Sequence, residues 1–231
     1  MFDPLLEIAC FNGRDLIVAA QAGAERLEFC SHHYLGGLSP DYLELQTLRA
    51  EIEQPIWCML RLKPDSFVVH ENEWPKYIAY AEKLTQAGAN GLVFGCLTIQ
   101  NEIDTEILSR LCDATHLPFA FHRAFDKVGN YNQAIEILSN YRISHILSSG
   151  GGEVAAENAD VLFELQEFAG NAIKIVAGGG VRAHNAQMLL PLQIHSSALN
   201  LNANAVDVSE IATLKQMVKA SKAAQLAGNS Q

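Results

Sequence analysis

The sequence predicts an α/β fold, a single (β/α)8 TIM-type barrel with an irregular last unit allowed. Three observations predict it. Short apolar runs rich in β-branched and aromatic residues recur eight times along 231 residues, which is about 29 residues per unit, close to what a strand and its returning helix need. Segments with helical spacing lie between most of the runs, and strands alternating with helices pair in parallel. The glycine clusters come late, at 150–152 and 178–180, while the first turn, FNGRD, holds one glycine. An open doubly wound sheet would place a glycine-rich phosphate loop after its first strand, so the barrel is favoured and no nucleotide cofactor is indicated.

The elements follow in order. The first run covers 5–11 and the second 26–31, RLEFCS, with Leu16, Ala19, Ala20 and Ala24 at helical spacing between them. Gly23, Gly88 and Gly170 fall where helices should stop. Ser39 and Pro40 mark a helix start ahead of the third run, 55–62. Tyr77, Tyr80, Ala81 and Leu84 precede the fourth, 91–97. Asp104 caps a helix carrying Ile107, Leu108 and Leu111 before the fifth, 117–125. Pro55 and Pro118 open their strands, where proline is tolerated. Ile135, Ile137 and Leu138 lead to the sixth run, 144–150, and Leu162, Leu165 and Phe168 to the seventh, 172–180. The eighth covers 193–200. One domain is expected over 1–225, with a frayed tail, LAGNSQ, at 226–231.

Composition narrows the function classes. Apolar residues make up 49% and charged residues 18%, with a mean hydropathy of +0.06, a globular balance. No stretch approaches the roughly 18 apolar residues of a membrane span, and no basic segment precedes an apolar one at the start. A formal charge of −10 repels phosphate backbones, so neither nucleic acid nor membrane is expected as a partner. The cysteines Cys10, Cys30, Cys58, Cys96 and Cys112 are odd in number and widely spaced. That disfavours a disulfide framework and suits a reducing cytoplasm.

In a β/α barrel the chemistry gathers at the carboxyl ends of the strands. Glu7, Glu28, Arg61, His122, Arg123, Asp126 and His195 stand inside or just past the runs and are the candidates for acid–base work on a small anionic substrate, phosphorylated or carboxylated. The alternative is a salt-bridged plug, since buried charges need partners. Ser149, Gly150, Gly179, Gly180 and Arg182 are candidates for an anion nest of glycine N–H groups and a guanidinium, against plain tight turns. Cys10 and Cys30, with His32 or His33 nearby, are candidates for a Cu(I) site, which wants thiolates. Cys10 reaches it only if its strand has bent, because it has the opposite parity to Glu7. Cys30 beside His122 or His195 could also act as a nucleophile. His70, His116, His145 and His184 read as surface or helix-end residues.

The motifs LEIACF, AAQAGAERLEFCS, LGGLSPDY, FHRAFD, LSSGGG, AGGGVRAHN and IHSSA, in that order, resemble the CutC copper homeostasis family over nearly the whole chain. The resemblance implies a TIM-type barrel, a cytoplasmic location, a homodimer and a role in copper handling. It points to Glu7, Cys10, Glu28, Cys30, Arg61, His122, Arg123, Asp126, Ser149, Gly150 and His195. The chain departs from the family where an R-P-R-x-G-x-F segment would end the third strand. Lys63 replaces the second arginine there, and the region after the eighth strand, LNLNANAVDVS, is short.

Overall fold

A computed structural model describes residues 2–228. Eight parallel strands close into a barrel in chain order: β1 (Leu6–Cys10), β2 (Arg26–Phe29), β3 (Ile56–Met59), β4 (Gly91–Phe94), β5 (Phe119–Phe121), β6 (Ile143–Ser148), β7 (Lys174–Gly178) and β8 (Gln193–Ser196). The helices α1 (Gly13–Ala22), α2 (Tyr42–Leu48), α3 (Trp74–Gln86), α4 (Thr105–Ala114), α5 (Tyr131–Leu138) and α6 (Ala159–Ala169) return the chain after the first six strands. Gly23 ends α1 with its N–H on the Ala19 and Ala20 carbonyls, and Asp104 caps α4 by accepting from Glu106 and Ile107. The second helix is capped by Asp41, one residue beyond the expected Ser39–Pro40 start.

The irregular unit is the seventh. Between β7 and β8 only a 3-10 turn, Ala186–Met188, covers the sheet, because the short stretch 179–192, with no apolar repeat, cannot return as a full helix. After β8 the chain forms a two-stranded antiparallel ribbon, β9 (Leu199–Asn200) and β10 (Ala205–Val206), then the long α7 (Val208–Gly228). The Val206 N–H donates to Asp15 Oδ1 at 3.2 Å, tying this short segment to α1. Leu226–Gly228, within the tail expected to fray, belong to α7; 229–231 lie outside the described residues. Among the described residues no helix is long and apolar enough to cross a membrane.

Strand alternation sorts the side chains into two layers. Leu6, Ile8, Cys10, Leu27, Phe29, Ile56, Cys58, Phe94 and Phe119 fill the layer between sheet and helices. The lumen holds a smaller apolar set, Cys30, Trp57, Met59, Val93 and Ala120, and a group of polar residues. Glu7 is paired in register with Arg26 on β2 and with His195 on β8, while Ala9 is paired with Glu28. Parallel pairing with this stagger lifts Glu28 one layer above Glu7, toward the carboxyl-end mouth.

Candidate active site at the barrel mouth

Glu7 is the buried centre of the polar group. It pairs with Arg26 Nε, accepts from His195 Nδ1 at 2.7 Å and has His145 Nε2 at 3.9 Å. Burial alone would raise its carboxyl, but Arg26, His195 and His145 outweigh burial and hold it well below the usual carboxylate range. Arg26 also donates to Gln193 Oε1 at 3.1 Å. Glu7 is thus a fixed anion beneath the site.

Glu28 is the opposite case. Burial is the main influence on it, with the charge of Glu7 adding, and it lifts the carboxyl to about 7 despite the opposing pull of His195. On His195, burial works downward, yet the charge of Glu28 and the hydrogen bond to Glu7 carry the imidazole above its ordinary value. Oxygens of Glu7 and Glu28 and a ring nitrogen of His195 lie within 4.8 Å of one another. The Glu28 charge draws the His195 imidazole up and the His195 charge draws the Glu28 carboxyl down, and both groups line a cavity of about 720 Å³ that opens at the mouth.

His122 stands on the same wall. It caps the 3-10 turn Arg123–Lys127, its Nδ1 accepting from the Ala124 N–H at 3.1 Å. Burial, with the Arg61 charge, holds its imidazole down at about 3. Arg123 donates through Nε to Asp126 Oδ2 at 2.8 Å and through Nη2 to Ser149 Oγ at 2.7 Å and the Gly152 carbonyl at 3.1 Å. Asp126 also accepts from Ser148 Oγ and from the N–H and hydroxyl of Ser149. The HRAFD and SSGGG motifs are therefore one interlocked corner, in which Asp126 organises the turn and is saturated with donors. Ser149 and Gly150 lie in that corner and not on the cavity wall.

Arg61, a candidate for gripping an anion, is committed elsewhere. Its guanidinium donates to the carbonyls of Leu35, Gly36, Gly37 and Pro64, fastening two loops at the cavity edge, while Lys63 pairs with Glu73 at 2.5 Å. Arg182 is different. Its Nη1 meets only the hydroxyls of Ser196 and Ser197, each at 3.2 Å, and its Nη2 the Leu199 carbonyl. No carboxylate among the described residues cancels its charge. Gly179 and Gly180 line the cavity beside it with φ of +121° and +63°. A Cβ on Gly179 would lie 2.9 Å from the Glu153 carbonyl, so only glycine fits there.

The two candidate thiols do not converge. Cys10 sits in the layer outside the sheet, its thiol toward the Ile8 and Asp15 carbonyls, while Cys30 belongs to the lumen set. The strand does not bend at Cys10, so parity places the two on opposite faces. Burial pushes both thiols well up, and neither lines the cavity.

Some site residues were missed in the sequence. His145, expected at the surface, is buried in the lumen, its ring 4.5 Å from that of Trp57. Leu147 lines the cavity, and alternation from Leu147 back to His145 is the signal that could have found it. Arg26 opens β2 with the parity of Glu28, a clue of the same kind. Lys127, at the end of the 3-10 turn after β5, and Phe67, in a loop, also line the cavity, and neither segment is long enough for periodicity to announce direction.

Fold and site together define a TIM-type barrel protein with a buried carboxylate–imidazole pair at its mouth. The profile of the CutC family matches residues 4–200. A family protein CutC of Salmonella typhimurium is 32% identical over 198 residues, 84% of this chain and 79% of that protein. One of Vibrio parahaemolyticus is 36% identical over 188 residues, 80% and 76% of the two chains. The chain belongs to the CutC family. The solved structure of a provisional copper homeostasis protein CutC from Streptococcus agalactiae is similar with a TM-score of 0.79 and 30% identity, covering 85% of this chain and 99% of that one. Phosphoribosyl anthranilate isomerase of Thermotoga maritima, at 14% identity and a TM-score of 0.64 over 94% of this chain and all of that one, shares the fold.

Proposed function

We propose that the barrel mouth binds a small anionic organic molecule and moves a proton on it, Glu28 and His195 exchanging that proton above the fixed charge of Glu7. The observation that supports this most is the juxtaposition of Glu28 and His195 in a cavity whose rim carries the uncancelled charge of Arg182. A carboxyl lifted to about 7 is matched to acid–base work near neutrality. Glycine N–H groups and an arginine beside the last strands are where this architecture commonly holds a phosphate. The name borne by the Streptococcus agalactiae relative supports copper homeostasis as the cellular setting. Five unbridged cysteines suit a reducing cytoplasm.

Copper as a resident ion is judged by the donors. Cu(I) prefers soft thiolates, and Cys10 and Cys30 lie on opposite faces of the sheet. Glu7, Glu28 and His195 are harder donors, and Glu7 is already neutralised by Arg26 and tied to His195. These sets do not fit a resident Cu(I) ion.

Calorimetric titration with inorganic phosphate and with 2-phosphoglycolate tests the anion site. The wild-type protein should bind, and Arg182→Ala should bind at least about tenfold more weakly. No binding, or equal binding by both proteins, overturns the reading.

A further inference from the structure

His122 has a more specific role written into its geometry. Its Nδ1 accepts the Ala124 N–H at 3.1 Å. An imidazolium would set two N–H groups against each other there, so the ring proton must sit on Nε2. The ring is fixed from several sides. Phe67 packs against it at 5.1 Å and Phe121 at 6.2 Å. Below, Gly95 leaves room that a methyl would fill, since a Cβ there would lie 2.3 Å from Nδ1. The positive charge of Arg61 opposes protonation further. Glu28 enters the same cavity from β2, with β3 and β4 lying between it and β5 on one side of the ring of strands.

We infer that His122 is a neutral Nε2–H donor that polarises a carbonyl oxygen of the substrate while Glu28 removes a proton from the adjacent carbon, so that the reaction is an enolisation of a small anionic ketone, aldehyde or carboxylic derivative. This rests on the anion-binding reading above. The step balances without a co-reactant. The proton passes from carbon to the Glu28 carboxylate, the C–H electron pair becomes the C=C bond, and the carbonyl π pair moves onto the oxygen held by His122. Returning the proton to the same carbon, from either side, restores both the carbonyl and the Glu28 carboxylate. A neutral imidazole suits this because it donates to the developing oxyanion without delivering a full proton to it. Its position at the start of a 3-10 turn holds that form.

Two measurements on the whole protein test the inference. The first is 15N NMR of histidine-labelled protein, with His122 identified as the signals missing from His122→Gln. A neutral ring protonated on Nε2 throughout the range from about pH 5 to about pH 8 is expected. An Nδ1-protonated ring, or an imidazolium in that range, overturns the proposal, and this reading needs no variant to be active. The second compares two probes, 2-phosphoglycolate and 2-phosphoglycolohydroxamate, a planar mimic of an enediolate. The hydroxamate should bind wild type at least about tenfold more tightly than phosphoglycolate. The ratio of the two affinities should fall toward one in His122→Gln and in Gly95→Ala, and a ratio unchanged from wild type in both variants overturns the proposal. If phosphoglycolate binds and the hydroxamate is no tighter, the enolisation falls while the anion site stands. If neither probe binds, the anion site itself falls.

Discussion

Glu28→Gln is the most informative single change, because it removes a charge without removing volume. Folding carries the Glu28 carboxyl from its ordinary 4.5 to about 7, so the fold prefers its protonated form. That preference is whole below pH 4.5, declines as pH rises, and is gone above about 7. Its full size is about 3 kcal/mol, an upper figure because Glu28 and His195 titrate together. His195, also raised, adds a loss of the same sign on the alkaline side of 6.5. The amide introduced by Glu28→Gln cannot ionise, and the change also removes the negative charge that helps hold His195 up. Urea unfolding at several pH values between about 5 and about 8 measures this directly. The variant should gain on wild type steadily across that range, by up to about 3 kcal/mol at its alkaline end. Parallel curves, with a gap that does not change by as much as about 1 kcal/mol, would refute the reasoning.

Other outcomes follow from the same geometry. Glu7→Gln strips the buried Arg26 of its anionic partner and should destabilise the fold by about 3 kcal/mol or more, read by thermal or urea unfolding; a near-neutral effect would show that Glu7 is not the anchor. Replacing Cys10 and Cys30 by Ser should leave Cu(I) affinity, measured against a competing chelator, unchanged; a loss of more than about tenfold would locate copper on thiols. His122 and His145 are both held from 6.5 down to about 3 by burial. Each must take up a proton on unfolding below 6.5, so acid should weaken the fold from that value downward, and His145→Phe should flatten the decline seen in pH-dependent unfolding; an unchanged slope would place His145 in contact with water.

Much of the barrel was legible because its signals are local and periodic. Pro55 and Pro118 directly precede β3 and β5, and Gly23, Gly88 and Gly170 stand at or just past helix ends, all with positive φ. Glu28, His122, Arg182 and His195 were identifiable as residues of the mouth, since polar groups inside apolar strands have few reasons to be there. What was not legible was partnership. Arg61 and Arg182 look alike in the sequence, yet one is taken up by four backbone carbonyls and the other faces only neutral groups. Asp126 and Glu28 are both acids near strand ends, but Asp126 collects serine and arginine donors, the serines from a turn 22 to 23 residues away, and Glu28 collects none of these. The Cys10–Cys30 pair failed to form because alternation continued through β1 to its last residue.

The measurement that bears most directly on the site is the titration of the Glu28 carboxyl itself, followed by the 13C shift of its Cδ in glutamate-labelled protein and assigned by its absence from Glu28→Gln. The site described above requires a midpoint close to 7 that moves when His195 is replaced. A midpoint at the ordinary 4.5, unaffected by His195, would contradict it.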